Sequence, residues 1–561
     1  MKINRTDFIK NEYIKTDKGK KSEETAVKDS VILSSGNTEI PLLPSSSQEI
    51  KTGKSVPMTI TLDIGGKETQ KKIMGQKTDK ELILNMKHTN DIHGNMPFVS
   101  TLIEPDEFWV DAGDAFQGYR FHSIISGGRE ENDLMNLRDC DLATTGNHFY
   151  DYNGTWGGNF LIEKANFPYI SANTKGLAPY AIAEVEGVKL AFIGVRTTEK
   201  KDLMVDPSKT KDLEITDPVE ALEKSVSEVR AKGVKNIIVL SHLGLEPTPA
   251  HPNVVTDKEI AKKIPGIDLI IGGHTHTPTK EKVEVNGTRI VHAGIEGKSD
   301  VATDDLYLGQ LSLKIDRSTG KITSIDHKLI QVDRSKPVDE DVKAIRNKYL
   351  MEEDFIGSQK LGIANTSFTH KIKTPVDSAL GNLVTDAIRK STEADVAVLD
   401  SNFFATSRED PPPSVLSEGE ITMKGLTETS LWMGKALDAS VETWNVPGET
   451  IKKLLEDGVN KLLSSKKTEG LYQVSGLTMR YDTSRPEGNR VTEIFIGEEP
   501  LLPDKNYRFT TSYIQGNWNP LFAGRDEASV EDGLKIRNIV ADSIRDKIQI
   551  NSAEEKRICP A

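Results

Sequence analysis

The sequence predicts a layered α/β fold divided into more than one domain. Three observations carry that expectation. The chain has 561 residues, more than one hydrophobic core organises, so its length requires two to four domains. From Glu81 onward, short apolar runs rich in β-formers alternate with amphipathic stretches. The runs start from polar segments and end in Gly, His or Asp, as buried strands do where they open into loops.

Residues 1–80 come first and differ from the rest. They hold 15 Lys and Arg against 11 Asp and Glu, in a chain whose net charge is −13. Residues 45–55 (SSSQEIKTGKS) read as linker. An alternating run from Val56 to Ile64, followed by Gly65 and Gly66, is compatible with one hairpin. The expectation for 1–80 is a largely flexible, Lys-rich extension with that hairpin at most.

Strand candidates follow at 82–86 (LILNM), 108–110 (FWV), 142–145 (LATT), 189–195 (KLAFIGV), 236–241 (NIIVLS), 268–272 (DLIIG) and 289–294 (RIVHAG). Residues 218–233 read as a helix between them, with Pro at its start and Gly at its end. The charged, periodic stretch 337–354 predicts a connecting helix. Beyond it, 380–401 reads as helix then strand, and 472–482, 491–501 and 506–514 read as strands. The expected division is a catalytic domain over 81–335, a connecting helix over 336–355, a second domain over 356–550 and a polar tail over 551–561.

Composition narrows the function. A net-acidic chain argues against broad electrostatic capture of a nucleic acid polymer, although a local basic pocket for a small phosphate ester remains open. Only Cys140 and Cys559 occur, too few for a thiolate zinc site and too far apart to suggest a disulfide framework. No apolar run approaches the roughly 18 residues of a membrane span. The N-terminus lacks the apolar core of a secretory signal, so the chain as written reads as cytoplasmic.

Five short motifs at the ends of apolar runs carry the chemistry: HTNDIHGN (88–95), DAGD (111–114), GNHFYD (146–151), SHLG (241–244) and GGHTHT (272–277). Ligand sites in α/β sheets collect at the carboxyl ends of strands, which is how residues so far apart converge. Asp91 and His93 are two residues apart, on one face of an extended segment, and His274 and His276 repeat that spacing. Two divalent cations about 3.5–4 Å apart need a bridging carboxylate and several neutral ligands, and water between them becomes an in-line nucleophile. Asp114 is the natural bridge. His148 adjoins Asn147 without needing to bind metal, and Asp151 can orient its imidazole. The six histidines outside this set, including His88, His122, His251 and His292, read as structural or solvated. His122 and His292 are the first candidates for an exception.

In this order the motifs resemble the signature of the calcineurin-like metallophosphoesterases, specifically the 5′-nucleotidase/UDP-sugar hydrolase family. Residues 165–174 (ANFPYISANT), 380–389 (LGNLVTDAIR), 419–422 (GEIT), 472–477 (YQVSGL) and 500–514 (PLLPDKNYRFTTSYI) extend the resemblance over roughly 83–525. It implies an N-terminal four-layer α/β/β/α sandwich and a C-terminal α+β 5′-nucleotidase-type domain that binds the nucleotide and reaches the metals by rotation. It further implies one metal on Asp91, His93, Asp114 and His276, and a second on Asp114, Asn147, His242 and His274. The ions would be Zn, Mn, Co, Fe or Mg. His148, paired with Asp151, would stabilise the phosphoryl oxygens in the transition state.

The resemblance has gaps. Phe149 replaces the usual Glu of G-N-H-E-F-D. In the second domain, 400–408 (DSNFFATSR) replaces the usual N-G-G-x-I-R, so that Asp400 and Ala405 fall where Asn and Arg are expected. Asn402 and Arg408 could substitute only through a shift of the loop. Thr374, with Lys373 beside it, stands where an Arg is usual. Trp432 matches one of two base-stacking aromatics, and Trp518 or Phe522 is the candidate for the other.

The implied function is divalent-metal-dependent hydrolysis of a small phosphate ester, first a 5′-nucleotide monoester attacked by a metal-bridging hydroxide. A phosphodiesterase or UDP-sugar/nucleotide pyrophosphohydrolase with the same centre is the alternative. A non-catalytic binding protein would be expected to have lost ligands or the His148–Asp151 pair, and none is lost. Family members are typically periplasmic or extracellular, in contrast to the absence of a visible signal.

Overall fold

The computed structural model describes residues 55–116, 121–151, 154–198, 210, 212–247, 254–296, 305–406, 411–430, 439–512, 521, 534–552 and 555–561. Residues 1–54 lie outside the described residues, as does His251.

The first two strands bear out the expected hairpin and correct its place in a flexible extension. β1 (Ser55–Ile64) and β2 (Lys67–Lys77) form an antiparallel hairpin turning at Gly65 and Gly66, both at positive φ. It is built into the main sheet. Met58, Ile60 and Leu62 alternate inward from β1 and enter the core. The strands after it are β3 (Glu81–Thr89), β4 (Phe108–Asp111), β5 (Leu142–Ala143), β6 (Tyr180–Val185), β7 (Val188–Arg196), β8 (Asn236–His242), β9 (Leu269–Gly272), β10 (Val283–Val285), β11 (Thr288–His292), β12 (Gly294–Ile295), β13 (Leu306–Asp316) and β14 (Lys321–Gln331).

These 14 strands form one hydrogen-bonded network in the order β10-β11-β9-β8-β7-β6-β1-β2-β3-β13-β12, with β14 on β13 and β4 and β5 continuing from β3. The network folds over on itself. Leu84, Phe108 and Leu313 from one half share a core with Phe192, Ile238 and Leu269 from the other, and the rings of Phe108 and Phe192 lie 5.7 Å apart. The hairpin is the seam. β1 pairs with β6 through Ile60 and Val185, while β2 pairs with β3 through Gly75 and Leu84.

Helices cover both outer faces. α1 (Met96–Ser100), α2 (Phe121–Ser126), α3 (Arg129–Leu137) and α4 (Gly154–Lys164) follow the early strands, and α5 (Pro218–Ala231) and α6 (Asp257–Lys263) the later ones. Met96, Leu134 and Leu161 pack with Trp109, Ala143 and Leu308 outside the first half. Leu222, Val226 and Ile260 pack with Ile193, Val239 and Ile270 outside the second. The result is the four-layer α/β/β/α sandwich. α5 starts as its sequence predicts, with Pro218 in the first turn and the Asp217 side chain accepting from the amides of Val219 and Glu220.

The connecting helix α7 (Glu340–Gly357) begins later and ends later than expected. Asp339 caps it by accepting from the Val342 amide. Arg129 holds Glu352 at 2.7 Å, and Lys424 of the second domain reaches Glu353 at 3.2 Å.

The C-terminal domain has smaller sheets. One is four-stranded, in the order Val441–Pro447, Asn506–Ser512, Val396–Leu399 and Gln473–Ser475. Helices Ala379–Ser391 and Gly448–Leu463 pack on it. The expected single strand over 472–482 is two, broken at Gly476 (φ +80°), where an added Cβ would strike the Asp395 carbonyl. The expected polar tail is also corrected. Strand Ile558–Pro560 pairs in parallel with Leu477–Tyr481, and the Arg557 guanidinium binds both Asp386 oxygens at 2.8 and 2.7 Å. Among the described residues, no helix is long and apolar enough to cross a membrane.

Candidate dimetal site

β3, β4 and β5 run parallel, as do β7, β8, β9 and β11. Each motif leaves the carboxyl end of one of these strands or follows shortly after it, and all five converge. Asp91, His93 and His276 each offer a ligand atom within 4.8 Å of the others, and Asp91, Asp114 and His242 form a second such group. The Nε2 atoms of His93 and His276 stand 3.0 Å apart. His242 Nε2 lies 3.0 Å from Asp114 Oδ2 and 3.2 Å from Asn147 Oδ1, while His274 Nδ1 lies 2.8 Å from the same Asn147 oxygen. All seven expected ligands therefore gather in one place. Asp91 offers a ligand atom to both groups, and Asp114 meets both His242 Nε2 and the His148 amide at 3.0 Å.

The local backbone is unlike the extended segments expected from the i, i+2 spacing. Asp91, His93, Asp114, His274 and His276 have φ of 49°, 45°, 55°, 90° and 49°. Each left-handed non-glycine residue costs on the order of 1–3 kcal/mol and persists only where the surroundings impose it. Here the His93 amide donates to the Asp114 carbonyl at 3.0 Å, and the His274 amide donates to Asp91 Oδ2 at 2.8 Å. Small residues allow the approach. A Cβ on Gly113 (φ +96°) would come within 2.7 Å of His242 Nδ1, and one on Gly146 would collide with the Asp114 carboxylate.

The donor set fits divalent cations. It consists of imidazole nitrogen and oxygen with no sulfur, which suits Zn, Mn, Co or Fe. Burial, together with His276, drives His93 down to about 3, so its ring is neutral and its lone pair is available. The His242 Nδ1 end faces the Ala112 carbonyl at 2.8 Å, which directs Nε2 toward Asp114. Burial opposes a charge on that ring, yet Asp114 outweighs it and raises His242 to about 9. A cation held by His242 and Asp114 would take the place of a proton between them.

His148 and Asp151 form the expected pair, with Nδ1 and Oδ2 at 2.6 Å. Both leave the 3₁₀ turn Asn147–Tyr150, whose His148 amide donates to Asp114 Oδ1 at 3.0 Å. Burial works against a charged His148, but Asp151 and Asp114 outweigh it and raise its proton affinity. The substitution at Phe149 is explained by packing: its ring lies among Phe116, Tyr150 and Tyr169. Asn90 is a supporting residue not singled out from the sequence. Its amide donates to Asp91 Oδ2 at 2.8 Å and to the Ala293 carbonyl at 3.1 Å. Its place beside Asp91 was the available signal.

The exceptions considered among the histidines are structural. His292 Nε2 meets Asp257 at 2.7 Å, and His122 bonds Glu130 and, at 3.2 Å, Glu353.

Of the residues expected to line the nucleotide pocket, Asn402 is among the described residues. Asn402 is exposed on the turn Ser401–Phe404, its amide donating to Asp400 Oδ1 at 2.9 Å. Asp400 pairs with Lys461 at 2.7 Å. Lys373 donates to the carbonyls of Lys461 and Ser464 at 2.8 Å and of Leu462 at 3.2 Å, closing the end of helix Gly448–Leu463. Arg408, Trp432, Trp518 and Phe522 lie outside the described residues.

Residues 84–278 match the calcineurin-like phosphoesterase family, and residues 358–523 match the 5′-nucleotidase C-terminal domain. The chain belongs to the calcineurin-like metallophosphoesterases of the 5′-nucleotidase family. This phosphoesterase is 26% identical to a 5′-nucleotidase of Bos taurus, over 85% of this chain and 90% of that one. It is 28% identical to the endonuclease YhcR of Bacillus subtilis, over 76% of this chain and 32% of that one. A putative 5′-nucleotidase structure from Staphylococcus aureus shares the fold with a TM-score of 0.63 at 16% identity, covering 85% of this chain and 100% of that one. The phosphoesterase is thus a metal-dependent phosphohydrolase with a dimetal centre.

Proposed function

We propose that the protein releases phosphate from 5′-nucleotides, with Asp91, His93, Asp114 and His276 holding one metal and Asp114, Asn147, His242 and His274 the other. The observation that carries this reading is the convergence of the imidazole, carboxylate and carboxamide donors of all seven residues at one place. Such ions, when bound, supply Lewis-acid polarisation of the phosphoryl oxygens and an acidified water. The residues of the chain do the rest. Asn90 and the His274 amide fix the Asp91 carboxylate. Asp151 fixes the His148 ring and favours its charged form. His148 then faces the developing negative charge with a hydrogen-bond donor, the kind of interaction worth ~100–1000-fold in rate. The nucleotide preference is supported by the match to 5′-nucleotidases over most of both chains.

A second reading is phosphodiesterase action by the same centre. It is supported by the similarity to an endonuclease and by Asp400 and Lys373, at or beside expected substrate positions, which bond within the fold. Phosphate release from AMP, and cleavage of UDP-glucose, 2′,3′-cyclic AMP and bis-p-nitrophenyl phosphate, separate the two. The assay is run with Mn²⁺, Co²⁺, Zn²⁺ or Mg²⁺. AMP turned over fastest supports the nucleotidase reading, and faster diester cleavage replaces it. No turnover of any ester with any metal rejects both.

A further inference from the structure

Arg196 is fully buried at the carboxyl end of β7. In the parallel ladder it is the register partner of His242, so it sits at the level of the candidate metal site. Its backbone is clamped by one side chain. Asn173 accepts from the Arg196 amide at 3.1 Å and donates to its carbonyl at 2.8 Å. The guanidinium carbon lies 5.5 Å from the centre of the Tyr150 ring. Nε makes one long bond, 3.4 Å, to the Thr197 carbonyl. Nη1 and Nη2 are buried and have no hydrogen-bond partner among the described residues.

That arrangement is costly for the fold. A buried charge loses its hydration, and each unsatisfied polar group adds to the loss. Core arginines that serve stability are paired, as Arg557 is with Asp386. Burial disfavours the charge on Arg196, and the carboxylates of Asp114 and Asp151 in the reaction centre favour it. Tyr150 belongs to the turn that presents Asn147 and His148, and its ring is wedged on another side by Gly158, where a Cβ would collide with it.

We propose that Arg196 is a positioning residue of the hydrolytic site, a fixed buried cation that steadies the Asn147–Tyr150 turn through Tyr150 and adds positive potential where phosphoryl charge develops. The residue is kept for the reaction at the expense of the fold, as electrostatic preorganisation requires. Lysine retains the charge but loses the planar contact with Tyr150, and methionine retains only the stem.

The proposal rests on the phosphohydrolase reading, and its test separates the two. Turnover, KM, metal content and melting temperature are measured for the unmodified chain, Arg196→Met and Arg196→Lys. Arg196→Met is expected to lower kcat by about 10–100-fold, the range seen for groups supporting a metal site. KM and metal content should stay within twofold, and the melting temperature should be unchanged or raised. Arg196→Lys should recover most of the turnover. Wild-type kcat in Arg196→Met overturns the proposal, as does an Arg196→Lys as slow as Arg196→Met. An Arg196→Met that melts lower, loses metal or fails to fold assigns the residue to structure and overturns it as well. An unmodified chain that cleaves no ester rejects the underlying reading, and this inference with it.

Discussion

The candidate metal site and the expected nucleotide pocket treat their charged residues in opposite ways. In the first, Asp91, Asp114 and the histidines turn their donor atoms toward one another at a cost in backbone strain. In the second, Asp400 and Lys373, which occupy or adjoin positions expected to hold substrate, are satisfied by a neighbouring lysine and by helix-end carbonyls. Strain and clustered lone pairs mark residues retained for chemistry, while complete internal pairing marks residues retained for the fold.

Replacing Asp114 should have the largest effect. Asp114→Ala removes a carboxylate that meets His242 and the His148 amide, so bound metal should fall and turnover should drop by on the order of 1000-fold or more. Metal analysis alongside phosphate release checks both. Retention of both metals would break the contrast at its strongest point. His148→Ala comes next. Turnover should fall ~100–1000-fold with metal content nearly intact. Equal metal loss in the two variants would contradict the separate role given to His148.

Lys461→Met tests the other region. It leaves Asp400 without its 2.7 Å partner. Because the pair is partly exposed, the expected loss is about 1–2 kcal/mol of stability, with kcat within threefold. Denaturant unfolding and AMP turnover measure the two. A large fall in turnover without loss of stability would make this region part of the reaction after all.

The smallest effect is expected at the joint between the regions. Burial alone would lower the proton affinity of His122, but its bonds to Glu130 and Glu353 outweigh burial and hold it at about 9, against an ordinary value of 6.5. A histidine raised on folding stabilises fully below its unfolded value, and the benefit is lost as pH rises through the folded one. The melting-temperature gap between the unmodified chain and His122→Gln should therefore be widest below pH 6.5 and close toward pH 9. A gap that grows with pH would remove the charged ring from the joint.

The legibility of the sequence follows the same divide. Strand ends and short motifs of ligand-type residues carry local signals, so β8 ending in His242 and the helix after Asp217 could be read directly. Left-handed φ at Asp91 and His93 could not, because spacing alone suggests extended backbone. The place of β2 in the main sheet was hidden by its composition. Lys67, Lys72 and Lys77 point to water, and of its residues only Ile73 and Gly75 are buried, so it resembles linker. The C-terminal strand was hidden by distance. Ile558 is buried only because the chain returns to Leu477–Tyr481. The pocket departures at Asp400 and Thr374 were visible, but the partners that absorb Asp400 and Lys373 lie on another helix.

The seam formed by β1 and β2 also sets an order of assembly. β1 is synthesised long before β6, its second partner, and at roughly 5–20 residues per second the intervening chain takes on the order of ten seconds to appear. During that interval one edge of the hairpin has no native strand to accept it. An unpaired edge invites pairing with another chain. Tyr180–Val185 closes that edge when it pairs with Ile60–Asp63 of β1.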